Sequence, residues 1–286
     1  MPSPRSDWGK VQRLARSACT RTPQQRRLQL RLHAAVGPGA CVLVAGATGG
    51  VGQLVTAKLL DRGYQVRALC RNREKATQLF PPEQSKKIEI VYADLRDASA
   101  AQRLTESIDA VCCVTGTTAF PSQRWKGNNG PQQTDYVSVK NLIDACPGNL
   151  QRFILNTSAG VDRSGSLPFS ILNLFGVLRY KKEAERVLQS SGLPYTIVRP
   201  GRLTDGPYTS YDLNTLLQAT SGSRQNIRLS PNDDLNGQTS RLACAEAIVQ
   251  ALQSNIVENR AFALESSDGQ GPGSDAAQWK ALFSAL

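Results

Sequence analysis

The stretch of sequence that determines the fold is Ala40–Gly52, which reads ACVLVAGATGGVG. A short apolar run stops at glycines, as a buried parallel strand does, and apolar residues at helical spacing follow it. Glycines allow a tight turn that brings backbone N–H groups close to a phosphate, and a helix N-terminus contributes about half a positive charge toward it. The stretch therefore predicts a strand, a turn that binds pyrophosphate and a helix. The predicted contacts are Gly46, Thr48, Gly49, Gly50, Val51 and Gly52.

Strand-like and helix-like segments alternate along the rest of the chain. Further strands are predicted at 65–70, 88–93, 110–115, 152–156 and 195–198, with helices between them, including one over about 171–190. Strands separated by helices require right-handed crossovers, which predicts an α/β fold: a doubly wound parallel sheet of the Rossmann type. We expect residues 37–286 to form this domain, with a small C-terminal cap over about 202–286 at the carboxyl edge of the sheet. Residues 200–211 are predicted to be loop.

The end of the second predicted strand indicates which dinucleotide binds. An NAD site has an acidic residue there to hold the ribose 2′-hydroxyl, but this strand ends at Arg71. An Arg guanidinium pairs well with a 2′-phosphate, so the sequence favours NADP over NAD. Arg73 and Lys75 either join Arg71 or lie on a solvated helix face. Asp94-Leu95, after the third strand, either contact the adenine side or include a helix-capping Asp94.

The net charge of +11 is concentrated at the N-terminus, where residues 1–36 hold seven Arg and one Lys against a single Asp. This segment lacks the apolar stretch of about 7–15 residues that a secretory signal has, and its Arg, Ser and Thr content is typical of an organelle transit peptide. A basic arm that contacts nucleic acid is the alternative. No basic groove with interleaved aromatic residues follows, so we predict a disordered transit peptide over 1–36 and no nucleic-acid partner.

The histidine and cysteine content excludes several kinds of site. The only His of the chain, His33, lies in the predicted transit peptide, and the seven Cys form no C-x-x-C pair. The sequence therefore predicts no metal site, no disulfide framework and no Ser-His-Asp triad. No apolar run approaches the ~18 residues that a membrane span needs, so no transmembrane segment is expected.

Several motifs coincide over residues 40–265. They are Gly46–Gly52, Arg71, Asp94-Leu95, the Thr115-Gly116-Thr117 turn, Ser158 and YTIVRPG at Tyr195–Gly201. Together they resemble the atypical short-chain dehydrogenase/reductases of the NmrA-like branch. The resemblance implies that Thr115, Gly116 and Pro200 also lie along the cofactor. Residues 117–126 and 200–217 are similar to a plastid group of this branch in plants and algae, which implies a chloroplast location, in the stroma.

The resemblance also implies chemistry based on Ser, Tyr and Lys. In that family a Ser orients a carbonyl, a Tyr donates a proton, and a Lys four residues later holds the ribose and activates the Tyr. Ser158 ends the fifth strand as the family Ser does, and a Lys-x-x-Ala-Glu match places the family lysine at Lys181. The tyrosine position is then Val177, which cannot donate a proton.

Two other tyrosines do not restore the missing donor. Tyr180 lies about 100° around the helix from Lys181, so the two side chains do not share a face. Tyr136 has the required i, i+4 spacing to Lys140, but it lies one crossover too early and is expected to be a packing residue. Ser158, Lys181 and Tyr180 remain the candidate catalytic residues.

Two functions remain open from the sequence. One is an NADP(H)-dependent reductase that uses Lys181, Ser158, Tyr180 or a water as its acid and acts on a small molecule. The other is a non-catalytic NADP(H)-sensing protein with a regulatory, assembly or tethering role towards a chloroplast protein partner, which Val177 favours. Loops 116–133 and 202–211 are predicted to fold over the pocket as a lid.

Overall fold

The computed structural model describes residues 35–80, 87–204 and 226–286. The predicted transit peptide lies outside these residues except for its last two positions, and the predicted lid residues 205–211 lie outside them as well. The strands within the described ranges are β1 Cys41–Ala45, β2 Gln65–Cys70, β3 Ile88–Tyr92, β4 Ala110–Cys113, β5 Arg152–Asn156, β6 Tyr195–Pro200, β7 Arg202–Thr204, β8 Asn226–Ser230, β9 Gln238–Ser240 and β10 Arg260–Ser267.

Helices separate most of these strands. The α-helices are α1 Gly50–Asp61, α2 Arg73–Leu79, α3 Ala98–Leu104, α4 Ser138–Ala145, α5 Phe169–Leu172, α6 Val177–Ser190, α7 Arg241–Leu252 and α8 Ala276–Ser284. A 3₁₀ turn at Gln123–Trp125 lies in the loop after β4, and a π-helical turn at Gln132–Val137 leads directly into α4. None of the described helices is long and apolar enough to cross a membrane.

Eight strands form one sheet in the order β3-β2-β1-β4-β5-β6-β10-β8. Neighbouring strands are parallel, except that β8 runs antiparallel to β10 at one edge. The order reverses between β1 and β4, the point at which ligands bind in open sheets of this kind. The doubly wound sheet predicted from the sequence is confirmed.

Both faces of the sheet are buried, because successive side chains of each strand point to opposite sides. Val42 and Val44 of β1 pack in a core with α1, α7 and α8, whereas Leu43 and Ala45 pack in a second core with α3, α4 and α6. All four of these side chains are fully buried. This two-sided burial explains why the strands read as continuous apolar runs rather than alternating ones.

The C-terminal third contributes to the central sheet itself. Strand β10 is inserted between β6 and β8, and α7 packs against α1 on one face. Strands β7 and β9 form a separate two-stranded parallel pair beside this sheet. The prediction of uninterrupted loop over 200–211 is therefore wrong at its start, since Pro200 ends β6 and β7 follows. The pairing partner of β7 lies more than thirty residues along the chain, so local sequence gave no sign of it.

The predicted helix over 171–190 is divided into two, which corrects that prediction. Gly176 has a φ of +78°, in the left-handed region that favours glycine, and separates α5 from α6. The Asn173 side chain accepts hydrogen bonds from the backbone N–H groups of Leu178 and Arg179, both at 3.1 Å. These contacts restart the helix at Val177.

A buried ion cluster joins α1 to α7. Glu246 is 4% exposed and accepts a hydrogen bond from Lys58 Nζ at 2.8 Å and another from the Arg62 guanidinium. Burial alone would raise the pKa of the Glu246 carboxyl, but the charges and hydrogen bonds of Lys58 and Arg62 outweigh it and hold the pKa below its ordinary value. The carboxylate therefore stabilises the fold in its charged form.

We predict that Glu246→Gln lowers the free energy of unfolding by about 3 kcal/mol at pH 7, because it leaves two cations without their counter-charge. Since the folded pKa is depressed, the carboxylate contributes above the unfolded value and loses its effect as pH falls towards the folded one. The difference between wild type and variant should therefore shrink at about pH 4, which urea denaturation at both pH values measures.

Glu89→Gln is the matched control, because Glu89 pairs with Arg67 at 2.7 Å but is 55% exposed. Its loss should cost less than about 1 kcal/mol. Equal losses for the two variants would contradict the assignment of Glu246 as the ion pair that holds α1 to α7.

Candidate functional site

The turn after β1 depends on backbone atoms that approach one another closely. Gly46 has a φ of +88°, and a Cβ there would lie 3.1 Å from backbone atoms of Val114 and Thr115. A Cβ on Gly52 would lie 2.0 Å from the Gly46 carbonyl oxygen, which no side chain tolerates. The Gly49 N–H donates to that same oxygen at 2.9 Å. Only glycine at both ends lets α1 start this close to the strand.

The N-terminus of α1 opens into a cleft at the carboxyl ends of the strands. No described side chain caps this helix, and Gly49 precedes it in an extended conformation. Its first N–H groups therefore remain available to an anion, with the positive end of the helix dipole behind them. Thr48, Gly49 and Gly50 lie on the wall of the cleft. Val51 and Gly52 follow inside the first helical turn and are buried.

The cleft has a volume of about 300 Å³ and runs past the ends of β1, β2, β3 and β4. It brings together nine of the predicted cofactor residues, which come from four separate parts of the chain. They are Gly46, Thr48, Gly49, Gly50, Arg71, Asp94, Leu95, Thr115 and Gly116. No cluster of His, Cys, Asp and Glu suited to a metal ion occurs in the part of the chain that the structure describes.

Three basic side chains line one end of the cleft: Arg71, Lys75 and Arg124. Arg71 donates to the Asn129 side-chain oxygen at 2.6 Å, and none of the three is joined to a described carboxylate by an ion pair. Burial and the nearby charge of Arg124 lower the pKa of the Lys75 ammonium. Asp94 is the nearby carboxylate and is hydrogen-bonded mainly by Arg96, so the three cations outnumber it and form a site for an anion.

Arg73 does not belong to this group. Its guanidinium lies over the Tyr92 ring, 4.3 Å from the ring centroid. The sequence left open whether Arg73 and Lys75 join Arg71. Lys75 does line the cleft beside Arg71, whereas Arg73 packs against β3.

Asp94 binds an arginine instead of capping a helix. It accepts from Arg96 Nε at 2.9 Å, and these hydrogen bonds lower the pKa of the Asp94 carboxyl. Arg96 also donates to the backbone carbonyl of Gly127, at 2.7 Å, in the loop after β4. The cap of α3 is Asp97, whose side chain accepts from the Ser99 N–H. Together with the bond from Arg71 to Asn129, these contacts hold the loop over the end of the cleft that Arg71 lines.

A buried ion pair lies behind Gly116, which lines the cleft. Lys181 Nζ lies 2.6 Å from Asp135 Oδ1, and a Cβ on Gly116 would be 3.2 Å from that Nζ. Asp135 lies in the π-helical turn. Burial raises the pKa of the Asp135 carboxyl, against the opposing effects of Lys181 and Thr117.

Lys181, Val51, Gly52 and the remaining predicted residues are not among those that line this cleft. Val177, at the family tyrosine position, is 4% exposed and belongs to a small apolar cluster. The Tyr180 ring lies 6.5 Å from the Tyr136 ring, centroid to centroid, and so packs between helices. Ser158 Oγ donates to the Ala159 carbonyl at 2.9 Å, and Pro200 is buried at the end of β6.

Comparison with known proteins identifies the class. A family model described as NAD(P)H-binding matches residues 46–255, more than half of the chain. The chain therefore belongs to this NAD(P)H-binding family, and the resemblance predicted from the sequence motifs is confirmed.

Curated relatives carry several functions. "Protein TIC 62, chloroplastic" of Pisum sativum is 38% identical over 221 residues, 72% of this chain and 39% of that protein. Sanguinarine reductase of Eschscholzia californica is 29% identical over 282 residues, 85% of this chain and 94% of that protein. Photosystem II assembly factor Ycf39 of Cyanophora paradoxa is 30% identical, covering 63% of this chain and 50% of that protein. The chain spans about a third to two fifths of the length of the TIC 62 proteins it matches.

Solved structures share the fold. A putative NAD-dependent epimerase/dehydratase from Bacillus halodurans has a TM-score of 0.65 at 23% identity, covering 85% of this chain and 99% of that one. A short-chain dehydrogenase/reductase from Veillonella parvula, solved in complex with NADP, has a TM-score of 0.57 at 18% identity, covering 81% and 96%.

The residues of the cleft fit a nicotinamide dinucleotide. The glycine turn offers uncapped N–H groups where a Cβ would fill the space, and a dinucleotide crosses the sheet at this switch point with its pyrophosphate at a helix N-terminus. The cation group lies on the β2 side of the turn and the Lys181–Asp135 pair on the β4 side.

The sequence interpretation did not include Asp135. A signal for it existed, because Asp135, Val139 and Leu142 recur at helical spacing on the buried face of one helical segment. Arg124 belongs to the loop 116–133 that the sequence predicts to fold over the pocket, but its position next to Lys75 depends on the path of that loop.

We expect Gly52→Ala to lower the free energy of unfolding by about 3 kcal/mol and to weaken NAD(P)H binding, because the added methyl meets the Gly46 carbonyl. Gly148→Ala is the control: Gly148 is exposed, and a Cβ there meets nothing within 4 Å. The control should change stability by less than about 1 kcal/mol. Urea denaturation and cofactor titration measure both variants, and a Gly52→Ala protein that matches wild type would contradict the close approach.

Proposed function

We propose that the protein binds NADP(H) in preference to NAD(H) and acts in the chloroplast stroma. The observation that supports the preference is the group of Arg71, Lys75 and Arg124 at the end of β2, where an NAD site has an acidic residue. A 2′-phosphate placed there balances the excess positive charge and receives hydrogen bonds from a guanidinium fork. The chloroplast location is supported by relatives whose names include it.

The mechanism assigns separate tasks to the two ends of the cleft. When bound, the nicotinamide supplies a hydride donor or acceptor. The first N–H groups of α1 bind the pyrophosphate, Arg71 and its neighbours bind the 2′-phosphate, and Lys181 anchors the second ribose. Thr115 and Gly116 shape the wall between them.

Two candidate functions use this cofactor. As a reductase of small molecules, a role supported by the likeness to sanguinarine reductase, the protein would take its proton from Lys181, Ser158, Tyr180 or a water. As a non-catalytic NADP(H) sensor, it would bind a partner in assembly or tethering, a role supported by the likeness to Ycf39 and TIC 62. The second role is favoured by Val177, a buried apolar residue where the family has its proton donor.

The first experiment tests the cofactor preference. Arg71→Ala should weaken NADPH binding about tenfold or more and leave NADH binding within twofold, because only the 2′-phosphate loses its partner. Arg73→Ala removes a neighbouring cation that packs on Tyr92 and should leave the NADPH:NADH ratio unchanged. Equal affinities of the wild-type protein for NADPH and NADH would contradict the assignment.

The second experiment separates the two functions. The NADPH-loaded protein is incubated with chloroplast extract while NADPH oxidation is followed. Turnover that Lys181→Met abolishes supports the reductase. Binding without turnover, together with a co-purifying chloroplast protein, supports the sensor and contradicts the reductase.

A further inference from the structure

The ion pair between Asp135 and Lys181 is buried behind Gly116, which lines the cleft. Asp135 is 2% exposed and Lys181 9% exposed, and Nζ and Oδ1 are 2.6 Å apart. The other carboxylate oxygen, Oδ2, is buried and has no hydrogen-bond partner among the described residues. A buried carboxylate oxygen without a partner is unfavourable for folding, and no described residue compensates Oδ2 here. This cost points to a role for the pair besides stability.

The backbone around Asp135 restricts the position of its carboxylate. The residue lies in a π-helical turn, Gln132–Val137, and such turns occur frequently at functional sites. The Thr117 N–H, on the loop that follows β4, favours the charged form of the same carboxylate and opposes the effect of burial on its pKa. Two elements thus fix Asp135, and Asp135 in turn fixes the long, flexible side chain of Lys181.

The position of the pair identifies the ligand group it faces. Gly116 lies on the wall of the cleft, and both charged groups lie close enough to restrict any side chain at Gly116. Arg71 marks the adenosine end, beyond β2, and the pyrophosphate turn lies between them. A dinucleotide that crosses this switch point places its second nucleoside on the β4 side. The ammonium of Lys181 is therefore directed to the second ribose.

We propose that Asp135 is a positioning residue that holds Lys181 as an anchor for the nicotinamide ribose. It acts through Lys181 and touches no ligand atom, since its own oxygens are enclosed. This assignment rests on the proposed use of Lys181 in cofactor binding, and it adds the residue on which that use depends.

The test compares the binding of NADPH with the binding of adenosine 2′,5′-bisphosphate, which corresponds to its adenosine half. NADPH spans both ends of the cleft, whereas adenosine 2′,5′-bisphosphate occupies only the adenosine end. Asp135→Asn should weaken NADPH binding about tenfold, the effect of losing one charge-assisted hydrogen bond, and leave the bisphosphate within twofold of wild type. In a Lys181→Met background the same substitution should change NADPH affinity less than twofold, because the residue acts through Lys181.

Asp144→Asn is the control, because it removes an exposed ion pair with Lys140 on the adjoining helix and should affect neither ligand. Equal weakening of NADPH and the bisphosphate by Asp135→Asn would assign Asp135 a structural role only and overturn the proposal. Unchanged NADPH affinity, or a further loss in the Lys181→Met background, would overturn it too.

If Asp135→Asn does not fold, the double variant is compared with Lys181→Met alone, and the proposal requires equal NADPH affinities. Wild-type protein that binds the bisphosphate but gains nothing from the nicotinamide half contradicts the positioning role alone, whereas failure to bind either ligand contradicts the proposed function as well.

Discussion

The close approach of α1 to the end of β1 is the constraint on which the rest of the structure depends. Gly52 lies against the carbonyl of Gly46, where a Cβ would stand only 2.0 Å from the oxygen. This contact directs the helix N-terminus at the carboxyl edge of the sheet and sets the path of the chain into the first crossover. The pyrophosphate position, the cleft and the packing of α7 on α1 all follow from where that helix begins.

The basic residues of the chain form an N-terminal group and a few local sites at the cleft. The excess of basic residues at 1–36 lies outside the described residues, and the basic residues that matter to the cleft are few and local. Arg71, Lys75 and Arg124 gather at one end without an ion pair to a described carboxylate, whereas Lys181, behind the wall of the cleft, is paired with Asp135. An unpaired group suits a phosphate with a full negative charge, and a neutralised pair suits the hydroxyls of a sugar. The basic end of the cleft thus suits the 2′-phosphate of NADP(H), and the Lys181–Asp135 side suits the ribose of its nicotinamide half.

The sequence predicted those features that depend on neighbouring residues. The apolar run before Gly46, the glycine spacing and the strand–helix alternation are local, and they led to the sheet and to seven of the nine residues that share the cleft. The other two, Thr115 and Gly116, came from the family resemblance. Features that depend on distant contacts were missed or wrong. The break at Gly176 needed the Asn173 side chain to restart the helix, and the β7–β9 pairing joins segments more than thirty residues apart. Asp135 and Lys181 are separated by 46 positions and meet only because α6 crosses the π-helical turn.

The anchoring role proposed for Lys181 agrees with the absence of a tyrosine at Val177. In the catalytic arrangement implied by the resemblance, the lysine serves both the ribose and the phenol. Here Val177 is packed into an apolar cluster and Lys181 is held by a carboxylate, an arrangement suited to anchoring a cofactor.

The most direct test of the central claim, that the glycine turn and the cation group together hold NADP(H), is a crystal structure of the protein with NADP⁺. The account predicts the pyrophosphate against the N–H groups at the start of α1 and the 2′-phosphate within hydrogen-bonding distance of Arg71. A 2′-phosphate that points into solvent, or a dinucleotide bound away from the Gly46–Gly52 turn, would contradict it.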